Sequence, residues 1–142
     1  MDVLLPDGWP RPHGYANGIS ATGRTLFVAG QVGWDPVSGR IESGDFAQQV
    51  RRALENVIEV LDAGGARPAD VVRMTWFMTD LDAYRAARRE LGAIWRELFG
   101  SHYPAMSVIG VSELLEPGAL VEIEATAVVE VRSGIPEGSA PD

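Results

Sequence analysis

The sequence predicts an α+β domain of order ββαβαββ, with two helices packed on one face of a mixed sheet. Three observations carry that reading. The closing stretch VEIEATAVVEV alternates, with Val121, Ile123, Ala125, Ala127, Val129 and Val131 on one side of an extended chain. Two stretches instead repeat at helical spacing. Strand-like runs rich in Val, Phe, Trp and Met lie before, between and after those two stretches.

Taken in order, the N-terminal LLPDGWPRPHGYANG is rich in Pro and Gly and predicts an irregular arm over 1–18. ATGRT supplies turn chemistry before TLFVAGQV, so a hairpin is expected between the segment near Ile19 and this strand. A helix follows WDPVSGR and SGD, with Ser43 or Asp45 as cap. Its apolar side is Phe46, Val50, Ala53, Leu54, Val57, Ile58 and Leu61, and Gln48, Gln49, Arg52, Glu55, Glu59 and Asp62 form the polar side. Gly64-Gly65 ends it. DVVRMTWFMT is a mostly buried strand, with Val72, Met74, Trp76 and Met78 expected on one side and Val71, Arg73, Thr75 and Phe77 on the other. A second helix opens at Thr79, Asp80 and Asp82, runs a stripe of Leu81, Tyr84, Ala87, Leu91, Ile94, Trp95 and Leu98, and stops at Gly100. AMSVIGVSEL and LVEIEATAVVEV are the last strands of a single domain over 19–131. The tail 132–142 has no apolar pattern and is expected to be disordered.

Two helices can cover only one sheet face. The other carries Trp, Met, Phe and Val candidates, so packing against another copy is expected.

With 142 residues one core suffices. No apolar run is long enough to span a membrane and no secretory leader is visible, so a cytoplasmic protein is expected. The absence of cysteine removes disulfides, thiolate nucleophiles and zinc-thiolate sites. A formal charge of −8 with scattered arginines disfavours nucleic acid as a partner. All twelve basic side chains are arginine, which removes Schiff-base chemistry and a P-loop lysine. His13 and His102 sit in no metal-ligand spacing, so neither a metal nor a cofactor is expected, and both read as exposed loop residues. The remaining chemical candidates are the strand carboxylates Glu122, Glu124 and Glu130, which the pattern leaves open as solvated, interfacial or catalytic.

The segments LFVAGQVGWDPVSGRI, ALENVIEVLDAGGARPADVVRMTWFMTDLDAY, YPAMSV and PGALVEIEATAVV together resemble the RidA/YjgF family of enamine/imine deaminases, from about Tyr15 to about Val129. The resemblance implies a chorismate-mutase-like subunit and a homotrimer with ligand clefts between subunits. It also implies hydrolysis of reactive enamines and imines to carbonyl compounds and ammonia. It assigns the N-terminal cleft tyrosine to Tyr15, a backbone ligand contact to Gly30, and the glutamate that positions water to Glu122, leaving Glu124 and Glu130 structural or solvated. It also reveals departures. The family's PARS reads PAMS here, so Met106, beside Ala105, stands where an arginine would grip a substrate carboxylate through two parallel bonds. Ala29 and Gly92 stand at a family serine and asparagine. The ligand is therefore expected to be less anionic than a 2-imino acid, with Arg11, Arg24 and Arg73 as the cations that could stand in. The rival expectation is a non-catalytic ligand sensor on the same scaffold. A ribonuclease sits badly with the acidic charge.

Overall fold

The computed structural model describes residues 1–131; the predicted tail lies outside the described residues. Its frame is a four-stranded mixed sheet of order β3-β8-β6-β7, formed by β3 (Arg24–Val32), β8 (Val121–Val129), β6 (Val71–Met78) and β7 (Ala105–Gly110). The alternating last segment is thus a central strand, antiparallel to β3 and to β6, while β6 and β7 run parallel. β3 and β6 point the same way with β8 between them, and the helix α1 (Phe46–Ala63) bridges them. The α+β class and the mixed sheet agree with the sequence expectation.

The start of the chain differs. The predicted hairpin partner, β2 (Gly18–Ser20), pairs with β1 (Asp2–Leu4) inside the supposedly irregular arm. β3 spans nine residues and finds a partner of equal length in β8, which a three-residue strand cannot provide. Gly18 also leaves room for Leu4, whose side chain would touch any Cβ at that position. A second small ladder joins β4 (Trp34–Asp35) to β5 (Arg40–Ile41).

Asp45 is the cap of α1, accepting from the Gln48 N–H at 3.0 Å, and the helix ends with Ala66 N–H on Leu61 O and Gly65 N–H on Asp62 O. Its apolar stripe buries Val50, Ala53, Leu54, Val57 and Leu61 against the sheet, the Val and Leu side chains each contributing roughly 1.5–3 kcal/mol. Gln49 corrects the predicted polar face. It is buried, and its amide donates to Ser43 O and Gly118 O at 2.8 and 3.0 Å and accepts from Leu120 N–H at 2.8 Å. The helix is thereby tied to the loop that feeds β8.

The predicted second helix is two helices, α2 (Leu81–Ala86) and α3 (Arg88–Phe99), which meet at Ala87. Asp80 caps α2, accepting from Asp82 and Ala83 N–H. A bulge at Val72 corrects the predicted faces of β6, because it turns Val71 inward with Met74, Trp76 and Met78. All the Trp and Met candidates for the far face therefore lie under the helices. Phe77 remains on the open face, joined there by Phe27, which is 81% exposed, and by Ile109.

Candidate functional site

The register of β6 and β7 sets one wall of a pocket. Met74 is opposite Met106 and Trp76 is opposite Val108, so Met106 and Val108 face the helices beside Trp76. The opposing wall is α3, whose Arg88, Leu91, Gly92 and Trp95 share one face at helical spacing. The arm borders the mouth: Ala16 N–H bonds to Pro104 O at 2.9 Å and bridges Ala105, which carries Tyr15 over the opening. The pocket has a volume of about 480 Å³ and is open to solvent at the mouth.

The lining is aromatic and internally braced. Trp95 stacks on Phe99 at 4.2 Å and lies nearly parallel to Tyr103 at 5.9 Å, while its indole N–H is taken by His102 O at 3.0 Å. Trp76 meets Tyr84 edge-on at 6.3 Å and Trp95 at 6.2 Å. Its own Nε1 is buried and has no hydrogen-bond partner among the described residues. His102, expected to be exposed, is half-buried with Nε2 at 2.7 Å from Val71 O. Its ring is structural, tying the turn after α3 to the start of β6.

Three of the predicted site residues, Tyr15, Gly92 and Met106, thus line one pocket. Ala105 does not. Its register partner is Arg73, so it points to the other face of the sheet and serves as the anchor of the arm.

Glu122, Gly30 and Ala29 form a second group. Glu122 alternates with the buried Val121 and Ile123, so it projects from the open face, half-buried. Opposite Glu124, strand β3 carries the two residues Ala29 and Gly30 between its pairs Val28↔Ala125 and Gln31↔Ile123. This bulge presses the backbone of Gly30 against the Glu122 carboxylate, where any Cβ would overlap Oε1. A larger residue there would displace the Glu122 side chain. Ala29 lines a separate concavity with Arg73, Thr75 and Glu124. Glu124 is exposed and Glu130 meets the amino group of Met1.

Of the arginines offered as replacements for the missing anchor, Arg24 donates to Gly64 O at the end of α1 and Arg73 lies on the open face. Neither they nor Arg11 lines the aromatic pocket. Arg88 does, and the sequence reading passed over it, although it sits four residues before Gly92 and seven before Trp95 on the same helical face. His13 at the mouth was also read only as an exposed loop residue. Among the described residues no cluster of three His, Asp or Glu side chains is placed to hold a metal, and no helix is long and apolar enough to cross a membrane.

Comparison with known proteins gives this architecture a lineage. The sequence pattern of a family described as endoribonuclease L-PSP matches residues 10–129. A 2-iminobutanoate/2-iminopropanoate deaminase of Homo sapiens is 34% identical over 105 residues, which cover 74% of this chain and 73% of that protein. The crystal structure of YyfB from Yersinia pestis, a Rid family protein, aligns with a TM-score of 0.76 at 35% identity, over 90% of this chain and 98% of that one. The chain belongs to the RidA/YjgF family. Membership extends the likeness to a RutC family protein of Pyrococcus horikoshii, 35% identical over 130 residues, covering 91% of this chain and 98% of its own. A RidA/YjgF fold accounts for the four-stranded sheet with helices on one face, and it leaves the Glu122 face of that sheet uncovered.

Proposed function

We propose that the protein is a cytoplasmic homotrimer in which the aromatic pocket of one copy meets the Glu122 and Gly30 ledge of the next. In this reading the assembled cleft hydrolyses an imine or enamine lacking an α-carboxylate to a carbonyl compound and ammonia. One observation carries it. Within a single chain Met106 and Glu122 project from opposite faces of the sheet, so pocket and carboxylate can share a ligand only across a seam between copies. The apolar members of the open face, Phe27, Phe77 and Ile109, supply a surface for such a seam.

In this cleft the Glu122 carboxylate takes a proton from water while the water oxygen bonds to the carbon of the protonated imine, opening C=N to a carbinolamine that bears NH2. Proton return to nitrogen makes ammonia the leaving group, the C–N bond breaks, and the hydroxyl proton is lost as C=O forms. The Gly30 backbone, held against the carboxylate, fixes where that water can stand. Met106 offers no charge at the strand wall. Losing a bidentate guanidinium there removes about 1.5–3 kcal/mol per hydrogen bond from binding of a 2-imino acid. The imine deaminase name of the human relative supports the reaction class.

The second reading, a ligand sensor without turnover, is favoured by the lack of a carboxylate among the residues that line the pocket of one chain. One experiment separates them. With imines released by an amino-acid oxidase and trapped competitively by semicarbazide, the wild type should accelerate release of 2-keto acid weakly, Met106→Arg should raise that rate at least tenfold, and Glu122→Ala should abolish it. No acceleration by wild type or Met106→Arg, on imines with or without a carboxylate, would leave the sensor.

A further inference from the structure

The walls of the helix-side pocket specify more than an apolar guest. Trp76, Tyr84, Trp95 and Tyr103 surround a space of about 480 Å³, within the usual range for a small-molecule site. Trp95 is immobilised by its stacked neighbours and by the bond from its N–H to His102 O, so it offers no free donor. Trp76 is the opposite case. It is 4% exposed, and its indole N–H has no acceptor among the described residues. Buried N–H groups are nearly always paired, so this one lacks the acceptor that its burial calls for.

Charge comes from the helix wall. Arg88 lines the pocket and enters no ion pair among the described residues, whereas Arg51, Arg52, Arg67 and Arg85 are each paired. One turn later Gly92 leaves the helix surface bare: a Cβ there would meet only Arg96 Nη1, at an ordinary 3.5 Å. A flat group can therefore lie along α3 between Arg88 and Trp95.

We propose that the ligand is a planar aromatic acid. Its ring lies between the aromatic walls, a carbonyl or imine acceptor takes the Trp76 N–H, and an acidic group borne on the ring rather than on the reacting carbon pairs with Arg88. Anion recognition has thus moved from strand position 106 to the helix wall. This rests on the reading above that the pocket is the ligand site, and it does not require turnover.

The test uses the full chain, calorimetry, and quenching of its tryptophan fluorescence. The probes are 4-acetylbenzoate (ring, acceptor and remote carboxylate), acetophenone (ring and acceptor alone) and pyruvate (α-carboxylate without ring). 4-Acetylbenzoate should bind at least about tenfold tighter than either of the others. Arg88→Gln should bring it down to the acetophenone level without changing acetophenone. Trp76→Phe should weaken both ring ligands severalfold. Arg88 is exposed, so its variant should keep the wild-type melting temperature, and the result does not depend on whether the buried Trp76 variant folds. Pyruvate binding as tightly as 4-acetylbenzoate, or an Arg88→Gln variant with unchanged affinity for it, overturns the proposal. Arg88-dependent binding without imine turnover would sink the hydrolase reading and leave the ligand class standing. Turnover indifferent to Arg88 would do the reverse.

Discussion

Met106 and Glu122 project from opposite faces of one sheet, Met106 toward α3 beside Trp76 and Glu122 away from the helices beside Phe77. Both strands are locked in register by the neighbouring β6, so no side-chain rotation brings the two residues together within a chain. Whatever uses both must recruit a second copy.

The Gly30 contact should be unforgiving. Gly30→Ala drives a methyl group into the Glu122 carboxylate, and the Glu122 side chain must move aside from its Cγ outward. Overpacking of this kind costs about 1–3 kcal/mol. Imine turnover should fall to the level of Glu122→Ala, and the urea midpoint should drop, as measured by circular dichroism. A variant with wild-type turnover would show that the ledge plays no part in the chemistry.

Gln49→Ala probes the fold without touching the site. It removes three hydrogen bonds and leaves Ser43 O, Gly118 O and Leu120 N–H to find other partners around a cavity. A loss of about 3 kcal/mol in unfolding free energy is expected, with Gln49→Glu no better because a buried charge would replace the amide. Denaturant titration reads this directly.

Acid should weaken the tie between α1 and α3. The hydrogen bond from Arg51 at 2.7 Å, aided by its charge, holds the Glu97 carboxyl below its ordinary value of 4.5. For a carboxylate lowered by folding, the contribution is present above the unfolded pKa and is lost as pH falls through the folded one. Glu97→Gln should therefore be slightly less stable than wild type near neutrality and equal to it well below pH 4.5. The difference stays small because the pair is exposed. A gap that persists in acid would refute the assignment.

Much of the frame was legible because periodicity reports burial. The alternation from Val121 to Val129 marked β8, and the stripe from Phe46 to Leu61 marked α1, with Asp45 one of two candidate caps. What periodicity could not show was pairing and local geometry. The partner of β2 depends on chain reach and on room above Gly18, and the inward turn of Val71 depends on a bulge that leaves no compositional trace. Gln49 read as polar and therefore outer, because two of its three backbone partners, Gly118 and Leu120, lie in a loop distant in sequence. At the site, family resemblance led to Tyr15, Met106, Gly30 and Glu122, but not to the sheet face each occupies. Arg88 was within reach of sequence reasoning, since its spacing to Gly92 and Trp95 is helical. Attention to the missing strand arginine directed the search to Arg11, Arg24 and Arg73 instead.

The seam itself admits a direct measurement, because the chain contains no cysteine. A Met106→Cys, Glu122→Cys double variant, treated with a short bis-maleimide and run on a denaturing gel, should give covalent species of two and three chains. Each single variant should remain largely at one chain. If the double variant stays wholly at the 15.3 kDa position, the two residues do not approach one another between copies, and the shared cleft does not exist.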